Sequence, residues 1–240
     1  MSEAKMGMRI GESVFCIGYL LFDLIAGILF LKNGSVDVFL LYGVMTLLLG
    51  FGDAFHLVPR VVKHIKGDSE KVRWWMDFGL AVTSVTMTVF YVLLFYIWKA
   101  MYYDPFADLR WMETSMMDTL TKVAVIRRII LPASILIWGT AIARIIICLL
   151  PQNNWFTGGN KKLSLCRNII FAVTGGIEVV LFLISGGAYG ITMAICITLS
   201  FLFYIPVTLY AKENPKIGML MIPKTVMYII IISLGLALLG

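Results

Sequence analysis

Charge is what this sequence holds least of. Asp, Glu, Lys and Arg make up 14% of its 240 residues, where a soluble domain carries about 25%. Histidine occurs only at His56 and His64. The four cysteines, Cys16, Cys148, Cys166 and Cys196, show no Cys-x-x-Cys spacing. Neither a disulfide framework nor a thiolate metal site is therefore expected, and small apolar roles suit the thiols better. There is no phosphate-cradling glycine loop, no His-Glu-x-x-His and no Gly-x-Ser-x-Gly. The soluble-enzyme chemistries those motifs serve, ATP-driven activity included, are not expected. Basic patches interleaved with aromatics are also missing, so nucleic acid is not an expected partner despite a net charge of +6. No internal repeat is visible.

What the chain has instead is apolar length. Hydrophobic residues make up 60% of it, and the mean hydropathy is +0.91. The apolar runs are each about 20 residues long, the length of a membrane-crossing helix rather than of a barrel strand. The reading is an all-α membrane protein, a bundle of seven transmembrane helices in one polytopic domain covering residues 1–240. The helices are expected at about 13–31, 38–62, 74–98, 124–150, 168–185, 189–210 and 217–239. The first run is too long for a signal-peptide core and no small-x-small site follows, so it is read as an uncleaved helix. Segment 99–122 interleaves Trp111, Met112, Met116 and Met117 with Asp108, Arg110, Glu113 and Asp118. That pattern predicts a short helix lying on the bilayer.

Seven crossings put the two ends on opposite sides. Twelve Lys and Arg residues fall on the side of the N-terminus and six on the other. The positive-inside rule then predicts a cytoplasmic N-terminus and an outside C-terminus, in a plasma membrane. Cations flanking apolar runs also suit lipid headgroups. Any complex, a homo-oligomer included, would form through the helices or the third connection.

Polar groups inside the helices are expensive and mark function by default. Asp53, His56 and Arg60 recur at i, i+3 and i+7, on one face near the end of the second helix. Alternating helix direction places Asp77, Arg144, Glu178 and Lys224 in the same inner half of the bilayer or near mid-depth. Tyr204 and Thr208 reach the same zone, while the outer half has little beyond Thr86, Thr88 and Thr192. The one-sidedness predicts a polar cavity on the cytoplasmic side. Ion pairing among Asp53, Asp77, Glu178, Arg144 and Lys224 would lower the cost of burying them. Pro59, Pro132, Pro206 and Pro223 are candidates for kinks, and Gly175-Gly176 beside Glu178 for a broken helix. Asp23 is expected to be an interhelical hydrogen-bond partner, and Lys224 and Arg60 are placed to snorkel toward headgroups.

Two functions fit such a cavity. The first is transport or binding of a small polar or charged molecule, with Asp53 and Glu178 taking a cation or proton, and Arg144 and His56 an anion or proton. The second is membrane-embedded hydrolysis of a lipid-like substrate. Seven helices with an inner Asp/His site resemble the CREST superfamily of membrane hydrolases, and Gly52-Asp53 is similar to a Gly-Asp pair of the lysoplasmalogenase family. The zinc-binding CREST families use three histidines, two of them on the last helix, and this chain's seventh helix has none. No cofactor is predicted. Zinc, if held at all, would sit on Asp53 and His56 with an acid such as Asp77 or Glu178. Lys224 on the seventh helix looks like the retinal lysine of heliorhodopsins, but it lies near the start of its helix. Whether the chain is an enzyme is left open by its residues.

Overall fold

The computed structural model describes residues 3–34, 37–103, 116–210 and 214–239. Seven helices account for most of them: α1 (Glu3–Asn33), α2 (Asp37–Lys66), α3 (Glu70–Tyr102), α4 (Met116–Leu149), α5 (Lys161–Ser185), α6 (Gly187–Tyr210) and α7 (Met221–Ala237). Six of them, and α7 together with the turn before it (Lys216–Ala237), are long and apolar enough to cross a membrane, which suggests a multi-pass membrane protein. No strand occurs among the described residues.

Several helices extend past the apolar runs. α2 continues through Lys63 and Lys66, and α3 begins at Glu70. Charged residues at helix ends are good helix formers and need not leave the helix where the apolar face ends. Ser69 caps α3 by accepting from the Val72 N–H at 3.3 Å, and Asn160 caps α5 by accepting from Lys162 and Leu163. α7 starts later than expected, because Pro215–Leu220 form a 3-10 turn first.

The interfacial helix expected within 99–122 falls largely outside the described residues. Lys99 to Tyr102 end α3, and Met116 to Lys122 begin α4. Residues 104–115, with Asp108, Arg110, Trp111, Met112 and Glu113, lie outside the described residues. The helix break expected at Gly175-Gly176 is not seen, and the four prolines read as candidates for kinks, Pro223 of α7 included, lie within continuous helices. α2, α4 and α6 run on through Pro59, Pro132 and Pro206. α5 is unbroken at Gly175-Gly176. Gly175 serves packing instead, because a side chain there would strike the Phe201 ring of α6.

Helices adjacent in sequence are adjacent in space, and α7 closes the ring against α1 and α2, with α3 also reaching α5. Large aromatics fill the interior: Phe30, Tyr42, Phe90, Tyr91, Phe95, Trp98 and Phe182 are all buried. Ile17, Leu21, Leu24, Leu131, Ile135 and Leu202 point outward, as residues facing lipid do. Three cysteines are buried, and Cys166, near the start of α5, is exposed.

Small residues set how closely the first three helices approach. In hydrocarbon, helix association relies on such contacts rather than on the hydrophobic effect. A Cβ on Gly27 would come within 2.6 Å of the Leu47 side chain, and one on Gly43 within 2.6 Å of Leu31. Gly79 of α3 lies against the backbone of Phe55 and His56. One turn on, Thr83 Oγ1 donates to the Gly52 carbonyl at 3.1 Å.

Two alanine variants separate close approach from simple propensity. Gly79→Ala adds a methyl that meets backbone atoms of α2, which cannot rotate away. It is expected to lower the unfolding midpoint of the detergent-purified protein, at a cost of about 1–3 kcal/mol. A Cβ on Gly139 meets nothing within 4 Å, so Gly139→Ala should stabilise α4 by about 0.5–1 kcal/mol. Equal midpoints for the two variants would refute this account of the α2–α3 contact.

Candidate functional site

The candidate site is a polar seam between α1 and α2. On α1, Glu12, Cys16, Tyr19 and Asp23 follow one another at helical spacing and form one stripe. At its outer end Glu12 Oε1 lies 2.7 Å from Arg60 Nη2, and Glu12 Oε2 lies 3.7 Å from His64 Nε2. Ser13 Oγ is 3.1 Å from His64 Nδ1. Two turns further in, the Tyr19 hydroxyl donates to Asp53 Oδ2 at 2.9 Å. One more turn in sits Asp23, fully buried, against Gly50 of α2. A Cβ on Gly50 would lie 2.8 Å from that of Asp23, so only glycine leaves room for the carboxyl.

Access falls along the seam. The Arg60 and Glu12 side chains are 28% and 22% exposed, Asp53 is partly exposed, and Asp23 is 0% exposed. From Glu12 to Asp23 is ~16 Å of helix, about half of the ~30 Å hydrocarbon core. Neither oxygen of Asp23 has a hydrogen-bond partner. An unsatisfied buried polar group costs about 1–3 kcal/mol, and more if it is charged.

The far side of Asp53 faces α7. Lys224 is buried, and its ammonium lies 4.9 Å from the Tyr204 ring centre and 5.0 Å from that of Tyr228, within cation–π range. Asp53 and Lys224 attract one another through the interior but form no ion pair within 4.0 Å. Deeper still, Arg144 Nη1 donates to Thr88 Oγ1 at 2.7 Å, and its guanidinium stacks 3.6 Å above Phe171. Glu178, 1% exposed, has neither oxygen hydrogen-bonded. It lies near Tyr91, whose hydroxyl is 3.3 Å from Ser200 Oγ.

The expected constellation is thus only partly assembled. Asp53 and Arg60 both turn to α1. His56 turns to α3, with Nδ1 3.4 Å from the Met76 carbonyl. Asp53 and His56 consequently point to different neighbours. Among the described residues no group of three His, Cys, Asp or Glu could hold a metal. Asp77 lies partly exposed on the first half of α3. Asp53, Glu178, Arg144 and Lys224 do not pair with one another; aromatic faces and hydroxyls surround the two cations instead. Lys224 does not snorkel outward, and Arg60 is held by Glu12.

Tyr19, Glu12 and the closeness of Asp23 to Asp53 were not singled out by sequence reasoning. The signal was available: the spacing of Glu12, Cys16, Tyr19 and Asp23 puts two acids and a phenol on one stripe of the first helix. No family model matches the chain, and no curated protein and no solved structure matches it.

A double-mutant cycle measures the bond at the centre of the seam. Tyr19→Phe and Asp53→Asn, alone and together, are expected to show a coupling of about 1.5–3 kcal/mol in reversible unfolding, as for a hydrogen bond to a charged group. Additive effects would mean that Tyr19 does not hold Asp53.

Proposed function

We propose that this protein binds a small cationic species, a proton, an alkali cation or an amine, at Asp23 and Asp53, and carries it across a plasma membrane. In this reading the N-terminus is cytoplasmic, and Glu12, Arg60 and His64 form the cytoplasmic mouth. The observation that carries it is Asp23: a mid-depth carboxyl with both oxygens unpartnered, one turn beyond a second carboxyl, at the closed end of a polar seam. Such a group is costly to bury empty and is relieved by a bound cation or proton. Lys224 and Arg144, buried across from Asp53, confine positive charge to the acidic side of the interior. Glu178, equally unpartnered, is the next acceptor along the bundle.

A second reading has one observation in its favour. Two neighbouring carboxyls, one of them bonded to a tyrosine hydroxyl, suit acid–base chemistry, in which like-charged neighbours take different protonation states. Asp23 and Asp53 would then act as the acid and base of a membrane-embedded hydrolase with a lipid-like substrate.

The two readings part on a ligand screen. Thermal unfolding of the purified protein is followed against pH, Na⁺, K⁺ and small amines. A bound species raises the midpoint, through a stabilisation of about 2.7 kcal/mol at a hundredfold excess over Kd. Asp23→Asn, which keeps the shape, and Asp53→Asn are expected to abolish that rise and to stop cation flux in proteoliposomes. Indifference of the wild type to every cation and to pH would defeat the transport reading. Release of products from a mixed lipid extract, lost in both variants, would establish the hydrolase.

A further inference from the structure

A groove of about 630 Å³ runs along the outside of the α2–α3 pair. Its walls are apolar: Phe51, Phe55, Val58 and Val62 of α2, with Val72 and Trp75 of α3. On α2 these residues recur at helical spacing, about 160° round the helix from Asp53. The groove therefore lies behind the seam and does not share its occupant. From Phe51 to Lys66 it follows ~22 Å of helix, longer than the ~15 Å that one leaflet contributes to the hydrocarbon core.

The groove's charge sits at one end. Lys66 and Lys71 line it there, beside Trp74 and Trp75, the residues that favour the headgroup level. Most neighbouring cations are already engaged. Arg60 pairs with Glu12 at 2.7 Å, Lys63 with Asp68 at 3.3 Å and Arg73 with Asp68 at 3.8 Å. Lys66 and Lys71 have no carboxylate within 4.0 Å among the described residues. Two unpaired ammonium groups thus close the polar end of an apolar slot of lipid length.

We propose that this groove is a binding site for one anionic phospholipid. An acyl chain lies along Phe51 to Val62, and the headgroup phosphate lies between Lys66 and Lys71. A zwitterionic lipid would fill the same slot without matching the charge. The inference is independent of the transport reading, because none of its residues belongs to the seam.

The test titrates dioleoyl phosphatidylglycerol and dioleoyl phosphatidylcholine, which share the same chains, into the delipidated full-length protein. Binding is counted by native mass spectrometry and by thermal shift. Phosphatidylglycerol is expected to bind one per chain and about 30-fold more tightly at low salt, as two lysines near a lipid surface imply. Lys66→Gln with Lys71→Gln should bring it down to the phosphatidylcholine value. Lys63→Gln with Arg73→Gln, which removes cations already paired, should keep the preference. Val58→Trp, which fills the slot at an exposed position, should weaken both lipids. Equal affinity of the wild type for the two lipids overturns the proposal. So does a preference that survives the Lys66/Lys71 change, equal loss in the Lys63/Arg73 variant, or undiminished binding to Val58→Trp.

Discussion

The position of α2 between α1 and α3 governs the rest of this bundle. Glycine lets α1 and α2 approach at Gly27, Gly43 and Gly50, and lets α2 and α3 approach at Gly79. Without the Gly50 contact there would be no room for Asp23, and without Asp23 the seam would end at Asp53. The backbone approach thus comes first, and the polar chemistry occupies what it leaves. Small residues and polar groups are both devices of helix association in membranes, and here the first make room for the second.

The interior keeps its charges apart rather than neutralising them in pairs. Lys224 rests on two tyrosine rings, Arg144 on a phenylalanine ring and a threonine hydroxyl, and Asp53 on a tyrosine hydroxyl. Direct ion pairs lie mainly at the polar ends, such as Glu12 with Arg60. A buried ion pair closed on itself has little further capacity, because its attraction is already used. Charges held by ring faces and single hydroxyls still have unused bonding capacity, as the bare oxygens of Asp23 and Glu178 show most directly.

Helix number and approximate position were legible because each apolar run is long and ends in charge. Helix ends were less legible, since Lys63, Lys66 and Glu70 continue helices that hydropathy alone would stop. Asp53, Glu178, Arg144 and Lys224 were recognisable as costly residues in apolar surroundings. What they touch was not, because rotation about each helix axis decides whether neighbours on one stripe meet the same partner. His56 illustrates this: about 60° from Asp53 on a helical projection, it faces α3 while Asp53 faces α1. Asp23 looked like an isolated hydrogen-bonding residue until packing placed it one turn from the Tyr19–Asp53 bond. Gly175-Gly176 looked like a helix break, yet it marks the approach of a phenylalanine from α6.

Cys166 has a use beyond packing. It is the single exposed thiol of four, and it sits near the polar start of α5, on the face of the bundle that carries the seam's mouth. A membrane-impermeant maleimide applied to intact cells, then to opened ones, would therefore report the orientation of the whole bundle in the bilayer. No engineered cysteine is needed, since the other three thiols are shielded by the helices around them.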